Sequence, residues 1–550
     1  MTLTVNIPTG SGYRLNHFLE VVVNTQTAAF FSGAPVWLDE SSPQYFMYRS
    51  SGATIRLQKR ADYPATFVQQ HGSKLLLGYG DVRQARELLS MPLGSITEAT
   101  FMSDEFLYIV IDLISGVVTV QCDAFSTVPL FVAAGPDRFI LASDFATVHN
   151  LHKTWRYRLN KRVVAQFLAG QDTFGQTFVD EIQVLYDRKR LVWRAGNPTI
   201  YVPPDASMRD YHKRRTADPH TFVPVLEQTL DSYWRRYVGA GHLGGSELSG
   251  GLDSAVVTAY LADRGYKPTT LTSVLPGAFG VSQQRKIEAF QQRFSTPSIK
   301  RPAHHQLDYP WQAVLDHRLS LPFYHYEYAV YDTDRDVMYQ ELYASGARAV
   351  FQGVGGDELF EHVDHALVMT NRHAYAGTYL DVPGFEPLKR CLSAYSQAEN
   401  VRRQPIPLRP YSVLQMSLFA TTALRNGVWP VAPLGDPRLY AFMQTMPLVY
   451  CDAKLLFAIY ARARRMPKSM YLSPNNEDFR DVNVARYFGL HAYITQALSN
   501  SLLQDMGLIR TEPLLHMHAR AGKLGRIDSL MALLFVRLLY AELNLRSLGF

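Results

Sequence analysis

The chain changes character once, near residue 200, and that change confines it to two architectures in series. Before it, short runs rich in β-branched and aromatic residues follow one another closely: Leu75–Leu77, Phe106–Asp112, Val117–Gln121, Leu130–Ala133 and Phe139–Ala142. Gly and Pro punctuate them, as at Ser115-Gly116 and Gly135-Pro136, and such spacing predicts antiparallel sheets. Residues 201–220, polar and carrying three prolines, read as a connector. Beyond it the apolar pattern lengthens to a helical period. Val256, Val257, Tyr260 and Leu261 fall on one helix face that ends at Gly265, a strand is expected at 269–275, and 334–345 is amphipathic before the apolar run Ala347–Phe351. The last apolar stretch, 529–548, reads as a buried helix. Helices alternating with strands predict a parallel sheet, so the expected units are 1–205, a connector at 206–220, and 221–550.

Bulk properties exclude several classes of function. With 550 residues, 47% hydrophobic and 19% charged, the chain has the composition of a folded, multi-domain protein. A net charge of +6 is small for this length, and the densest basic stretches, Lys213–Arg215 and Arg462–Arg465, are too short for a nucleic-acid tail. No run of about 18 apolar residues occurs and the first residues lack a basic-then-apolar leader, so the expectation is a cytoplasmic protein without a membrane segment. Cys122, Cys391 and Cys451 are widely separated, without metal-ligand spacing, and are expected to be small buried hydrophobes.

The segment Ser249-Gly250-Gly251-Leu252-Asp253-Ser254 carries the first chemistry. It lies directly before the predicted helix, and a helix N-terminus offers unpaired N–H groups and the positive end of the dipole to an anion. Gly250 and Gly251 permit close backbone approach, Ser249 and Ser254 add hydroxyl donors, and Asp253 can hold Mg²⁺ beside bound phosphates. No lysine follows the glycines, so this is not the common GxxxxGK[ST] loop. The preceding Gly-rich stretch, with only Leu243 and Leu248 plainly apolar, makes a poor buried strand.

A second motif, Phe351-Gln-Gly-Val-Gly-Gly-Asp-Glu-Leu-Phe360, follows the strand predicted to end at Phe351. Together the two segments resemble the SGGxDS pyrophosphatase loop and the G-x-G-x-D-E-L-F segment of asparagine synthetases and their relatives. The resemblance implies that Asp253 and Asp357 are paired metal ligands and that Gly353, with Gly355 and Gly356 beside it, lines the nucleotide site. It extends to Asp123–Val132 and Phe139–Asp144, similar to the family's glutaminase domain, to Thr177, Phe178, Glu181 and Ile182 at that domain's end, to Pro433–Asp436, and to Lys454 in the helix that follows. The implied fold is an α+β, class II glutaminase-like antiparallel-sheet domain followed by an α/β parallel-sheet, ATP-pyrophosphatase-like synthetase domain.

Three departures refine what the resemblance implies. A glutaminase of this type needs a cysteine at position 2, whereas this chain has Thr2 and no cysteine before Cys122. The amine must then come from a source other than glutamine. Two branches of the family lack that cysteine: β-lactam synthetases, and lasso-peptide cyclases, which join a precursor peptide's N-terminal amine to an Asp or Glu side chain after a protease has removed the leader. Val354 stands where β-lactam synthetases carry a tyrosine, which favours the cyclase branch. A ligase acting on a small amino acid, β-lactam-forming or ammonia-dependent, is the alternative. The family's R-x-K lysine has no exact counterpart in Arg464-Arg-Met-Pro-Lys468, so Lys468 is the candidate for that role, against the reading of a solvated surface lysine. Within the aromatic run Pro322–Tyr328, alternating rings could line a peptide cleft with Glu327 or His325 as base, against the reading of an ordinary amphipathic strand or core segment. Glu358 and Glu361 are explained by the helix dipole.

Overall fold

The computed structural model describes residues 19–24, 37–39, 45–49, 53–59, 65–80, 105–123, 127–152, 156–170, 176–185, 189–194, 197–201, 217–237, 243–302, 311–318, 320, 322–323, 326–360, 381–399, 420–450, 454–472 and 480–550. Thr2, Cys451, His325, Glu361 and most of the expected connector lie outside these residues.

The amino-terminal part contributes β1 (Leu19–Asn24), β2 (Trp37–Asp39), β3 (Tyr45–Arg49), β4 (Ala53–Gln58), β5 (Thr66–His71), β6 (Lys74–Tyr79), β7 (Leu107–Asp112), β8 (Val118–Cys122), β9 (Leu130–Ala134), β10 (Arg138–Ala142), β11 (Ile182–Leu185), β12 (Arg190–Arg194) and β13 (Asn197–Tyr201). Among the described residues they form two antiparallel sheets, β11-β9-β10-β1-β4-β3-β2 and β13-β12-β8-β7-β6-β5. The period-two pattern explains how the sheets stack. On β10, Phe139 and Leu141 join Leu19, Val21 and Val23 of β1 in a core shared with Leu75, Leu77, Ile109 and Val120 of the second sheet. Ile140 and Ala142 point the other way, onto α1 (Phe145–Leu151) and α2 (Lys161–Leu168).

The second part runs through α3 (Phe222–Tyr237), β14 (Leu243–Glu247), α4 (Leu252–Asp263), β15 (Thr269–Val274), α5 (Gly277–Phe294), β16 (Ser298–Pro302), α6 (Tyr326–Ala344), β17 (Ala347–Phe351), α7 (Gly356–Phe360), β18 (Trp429–Val431), α8 (Leu455–Ala463) and α9 (Lys468–Tyr471), ending in α10 (Ser529–Leu548). The sheet is parallel, in the order β16-β15-β14-β17-β18. The architecture is therefore the expected one, antiparallel sheets followed by a parallel-sheet α/β unit. Because β15 lies on one side of β14 and β17 on the other, the crevice beyond the carboxyl ends of β14 and β17 is the topological switch point.

Local details depart from expectation for identifiable reasons. The Gly-rich stretch does form the central strand. A Cβ on Gly245 would lie 2.7 Å from both Leu342 methyl carbons, so the absence of a side chain lets α6 pack directly on β14. Helix α4 begins at Leu252 rather than Ala255, and Ser254 to Leu261 are all buried, because α3, α5, α8 and α9 surround it. Helix α6 starts at Tyr326, eight residues before the amphipathic stretch, so Tyr326, Glu327 and Tyr328 occupy a first helical turn and do not alternate as in a strand. The described cysteines, Cys122 and Cys391, are unbridged, one buried and one half-buried. Helix α10 is buried along almost its whole length and packs on α2, so the chain's last helix covers the first sheet. Among the described residues no helix is long and apolar enough to cross a membrane.

The two parts also meet through a buried carboxylate. Glu105 accepts hydrogen bonds from Tyr237 Oη (2.8 Å) and Trp429 Nε1 (3.0 Å), while Tyr79 packs edge-on to Trp429 at 5.0 Å. Burial raises the Glu105 carboxyl from the usual 4.5 to about 7, against the opposing hydrogen bonds from Tyr237 and Trp429 and the charge of Arg236. A raised folded-state value favours the protonated form, so its stabilising effect is complete at low pH and is lost as pH rises from about 4.5 to about 7. The cost above that window is about 3 kcal/mol. The Glu105→Gln variant, neutral throughout, is expected to gain thermal stability relative to the parent between pH 5 and pH 8; parallel melting profiles across that range would contradict this.

Candidate active site

The strand-loop-helix connection from β14 to α4 is fastened by two neighbouring elements, β15 and α5. Thr272 Oγ1 of β15 donates to Leu248 O at 2.8 Å, and Gln283 Nε2 of α5 donates to Ser249 O at 2.8 Å and Ser273 O at 3.1 Å. Gln283 Oε1 in turn accepts from Leu275 N at 3.0 Å. Within the turn, Ser249 Oγ accepts from Gly251 N (3.2 Å) and lies 3.1 Å from Ser254 Oγ. Gly250 has φ +86°, a conformation a side chain would strain. The cap residue of α4 is Gly251, which closes the first turn with no side-chain hydrogen bond, the condition under which a helix N-terminus receives an anion.

The second loop is pressed against the first. A Cβ on Gly353 would stand 2.5 Å from Ser254 N, and one on Gly356 would stand 2.4 Å from Asp253 Cγ. Gly355, at φ +96°, would strike Gly435 N at 2.5 Å, so the turn after β18 is packed into the same place. Each glycine of Gly353-Val-Gly-Gly356 is thus required by a neighbouring backbone or carboxylate. Val354 packs against the hydrophobic core and offers no proton-transfer group. Under the loops, Glu247 Oε1 at the end of β14 accepts from Tyr339 Oη (2.5 Å) and Gln352 Nε2 (3.1 Å), joining the ends of β14 and β17.

This packing brings Asp253 and Asp357 to one point, occupied by the ammonium of Lys454. Its Nζ lies 2.7 and 2.6 Å from the two Asp253 oxygens and 2.5 Å from Asp357 Oδ1. Burial disfavours the Lys454 charge, but the Asp253 and Asp357 carboxylates outweigh it and raise the lysine above its usual value. Asp253 is largely shielded, whereas Asp357 remains 75% exposed. Two carboxylates converging on a cation fit Mg²⁺, which usually takes one or two protein carboxylates and completes its shell with water and substrate phosphates. Among the described residues no group of three or more His, Cys, Asp or Glu could hold a metal.

The other expected residues are distributed as follows. Lys468 is exposed on the first turn of α9, whereas Lys454 makes the contacts to both aspartates. Glu327 lies on the first turn of α6, and its side chain is outside the described residues. Glu358 is buried. Asp436 is fully buried and accepts from the N–H groups of Arg438 (2.7 Å) and Leu439 (3.4 Å) and from the Arg438 guanidinium (2.6 Å), so it caps the helix Pro437–Met443. Gln283, Thr272 and Glu247 had no local signal in the sequence, since each acts on a backbone or side chain brought near only by the sheet.

Residues 226–408 match the family model for asparagine synthase, so this segment, which contains both glycine loops, is asparagine-synthase-like; the match stops short of Asp436 and Lys454. No curated protein matches the chain. Similar solved structures include an allosteric regulatory enzyme of purine biosynthesis (10% identity, TM-score 0.18, 48% of this chain and 60% of that one). Another is the glutamine phosphoribosylpyrophosphate amidotransferase from B. subtilis complexed with ADP and GMP (12% identity, TM-score 0.18, 62% and 76%). The chain thus spans about three fifths of the first of these.

Proposed function

We propose that this chain is an ATP- and Mg²⁺-dependent amide ligase that adenylates an Asp or Glu side-chain carboxylate of a precursor peptide and closes it with the peptide's N-terminal amine. The observation that carries the reading is the meeting of Asp253 and Asp357 at one cation-binding point beside the open N-terminus of α4. Asp253 and Asp357 would hold Mg²⁺, which, when bound, neutralises charge on the phosphates of ATP. The α4 N-terminus and the hydroxyls of Ser249 and Ser254 orient the phosphate chain.

In the first step a carboxylate oxygen attacks the α-phosphorus, pyrophosphate leaves, and an acyl-adenylate forms. In the second the amine attacks the acyl carbon, AMP leaves with one former carboxylate oxygen, and the attacking nitrogen passes one of its two protons to solvent. Holding the amine and the activated side chain of one peptide together supplies the effective concentration. The absence of cysteine among residues 1–121 supports an amine source other than glutamine, and Val354, half-buried against the core and without a proton-transfer group, supports a cyclase over a β-lactam synthetase. A leader-removing protease is the expected partner, and the antiparallel-sheet part is read as a glutaminase remnant. A ligase acting on a small amino acid, β-lactam-forming or ammonia-dependent, is the second reading, on the same site geometry.

The test is incubation with ATP, Mg²⁺ and a peptide bearing a free N-terminus and an internal Asp or Glu, taken from a short gene adjacent to this one. Loss of one water from the peptide together with AMP formation supports macrolactam closure. Turnover with ammonia or a small amino acid, and none with the peptide, would replace the cyclase reading with the second one.

A further inference from the structure

Lys454 breaks two local rules at once. It adopts left-handed backbone angles (φ 57°, ψ 36°), which a side chain makes costly, and it places a cation at the N-terminus of α8, where the dipole favours an anion. Violations of this kind persist where the surrounding structure enforces them, and they cluster at functional sites. Here the enforcement is visible. Leu456, Phe457 and Tyr460 bury α8 against its neighbours, so the helix is fixed, and only the lysine's four-carbon stem is left to place the ammonium. At its end lie the two carboxylates, which come together because Gly356 lacks the Cβ that would strike Asp253.

We infer that Lys454 is an internal counter-ion that occupies the divalent-cation position in the nucleotide-free protein, so that metal enters together with nucleotide. An ammonium 2.5–2.7 Å from three carboxylate oxygens competes, by charge and by position, with an ion that needs those oxygens at about 2.1 Å. A lysine suits this task because it is a compact charge on a flexible stem. Incoming phosphates give the displaced ammonium new oxygen partners, and the freed aspartates take the metal. The metal-binding half stands on the geometry alone; the nucleotide half rests on the adenylation reading above.

Binding of Mn²⁺, followed by its electron paramagnetic resonance, tests this without turnover. The parent chain should bind Mn²⁺ weakly alone and much more tightly with α,β-methylene-ATP, which cannot be cleaved between its first two phosphorus atoms. Lys454→Met and Lys454→Gln, two neutral variants in case one folds poorly, should bind Mn²⁺ alone about tenfold more tightly than the parent or better. They should gain little from the analogue, and Lys454→Arg should keep the parent's pattern. Parental Mn²⁺ affinity in folded neutral variants, with analogue-dependent binding intact in the parent, would overturn the counter-ion role and leave the metal site standing. No Mn²⁺ binding by parent or neutral variants, with or without analogue, would instead refute the paired-aspartate metal site on which the inference stands.

Discussion

Asp253→Asn is expected to lower ATP-dependent pyrophosphate release about a thousandfold, and Asp357→Asn to do the same. Each substitution removes one charged oxygen ligand from a site that, among the described residues, has two carboxylates to offer a metal. The folded state should survive both changes. Asp357 is mostly exposed, and in either variant one aspartate remains beside Lys454, so that its charge stays paired. Asparagine keeps the shape of the side chain and the possibility of a hydrogen bond, which separates loss of ligand charge from loss of packing. The measurement is pyrophosphate release at saturating ATP, with melting temperature as the folding control. Near-parental turnover in both variants would remove the metal assignment.

Gly355→Ala is expected to have the second largest effect, destabilising the site by about 3 kcal/mol and abolishing nucleotide binding. The residue sits at φ +96°, and its new Cβ would meet the backbone at Gly435 N (2.5 Å), Gly435 Cα (2.6 Å) and Leu434 C (2.7 Å). A flexible side-chain tip could move aside at small cost; a backbone held by the adjoining helix cap at Asp436 cannot. Gly525→Ala provides the matched control. It also has a positive φ, +60°, at the C-terminal cap of the helix Thr511–Leu524, but a Cβ there meets nothing within 4 Å. That variant should lose only about 1 kcal/mol, from backbone strain alone, and keep binding the nucleotide analogue. Equal melting shifts in the two variants would show that contact with the loop after β18 is irrelevant.

Much of this fold could be read from the chain because its signals are local. The antiparallel strands alternate with period two and are bounded by Gly and Pro, and the helix Ser529–Leu548 is apolar around most of its circumference because it is buried along almost its whole length. The two glycine loops were legible as motifs, since each residue type does a task tied to its own backbone position. What the chain concealed was set by neighbours distant in sequence. β14 looked too poor in apolar residues for a central strand, and only the approach of Leu342 explains why glycine is there. The start of α6 was hidden because alternating aromatics suggest a strand, while the helix begins among them. The lysine was the sharpest case. Lys454 stood out by resemblance, but not what it touches: it reaches the aspartates from the start of α8, a left-handed cap that periodicity does not reveal. Gln283 was invisible for the same reason, being a polar residue on a helix whose importance lies in what the neighbouring strand puts beside it.

The most direct measurement follows a carboxylate oxygen. A peptide whose Asp or Glu side chain carries heavy oxygen is incubated with the protein, ATP and Mg²⁺, and the phosphorus products are identified by NMR and mass spectrometry. Adenylation predicts unlabelled pyrophosphate and AMP that carries one heavy oxygen, because the bond between that oxygen and the α-phosphorus survives when the amine displaces AMP. Release of ADP with labelled inorganic phosphate would mean activation at the γ-phosphorus, and would contradict an adenylating ligase built around Asp253 and Asp357.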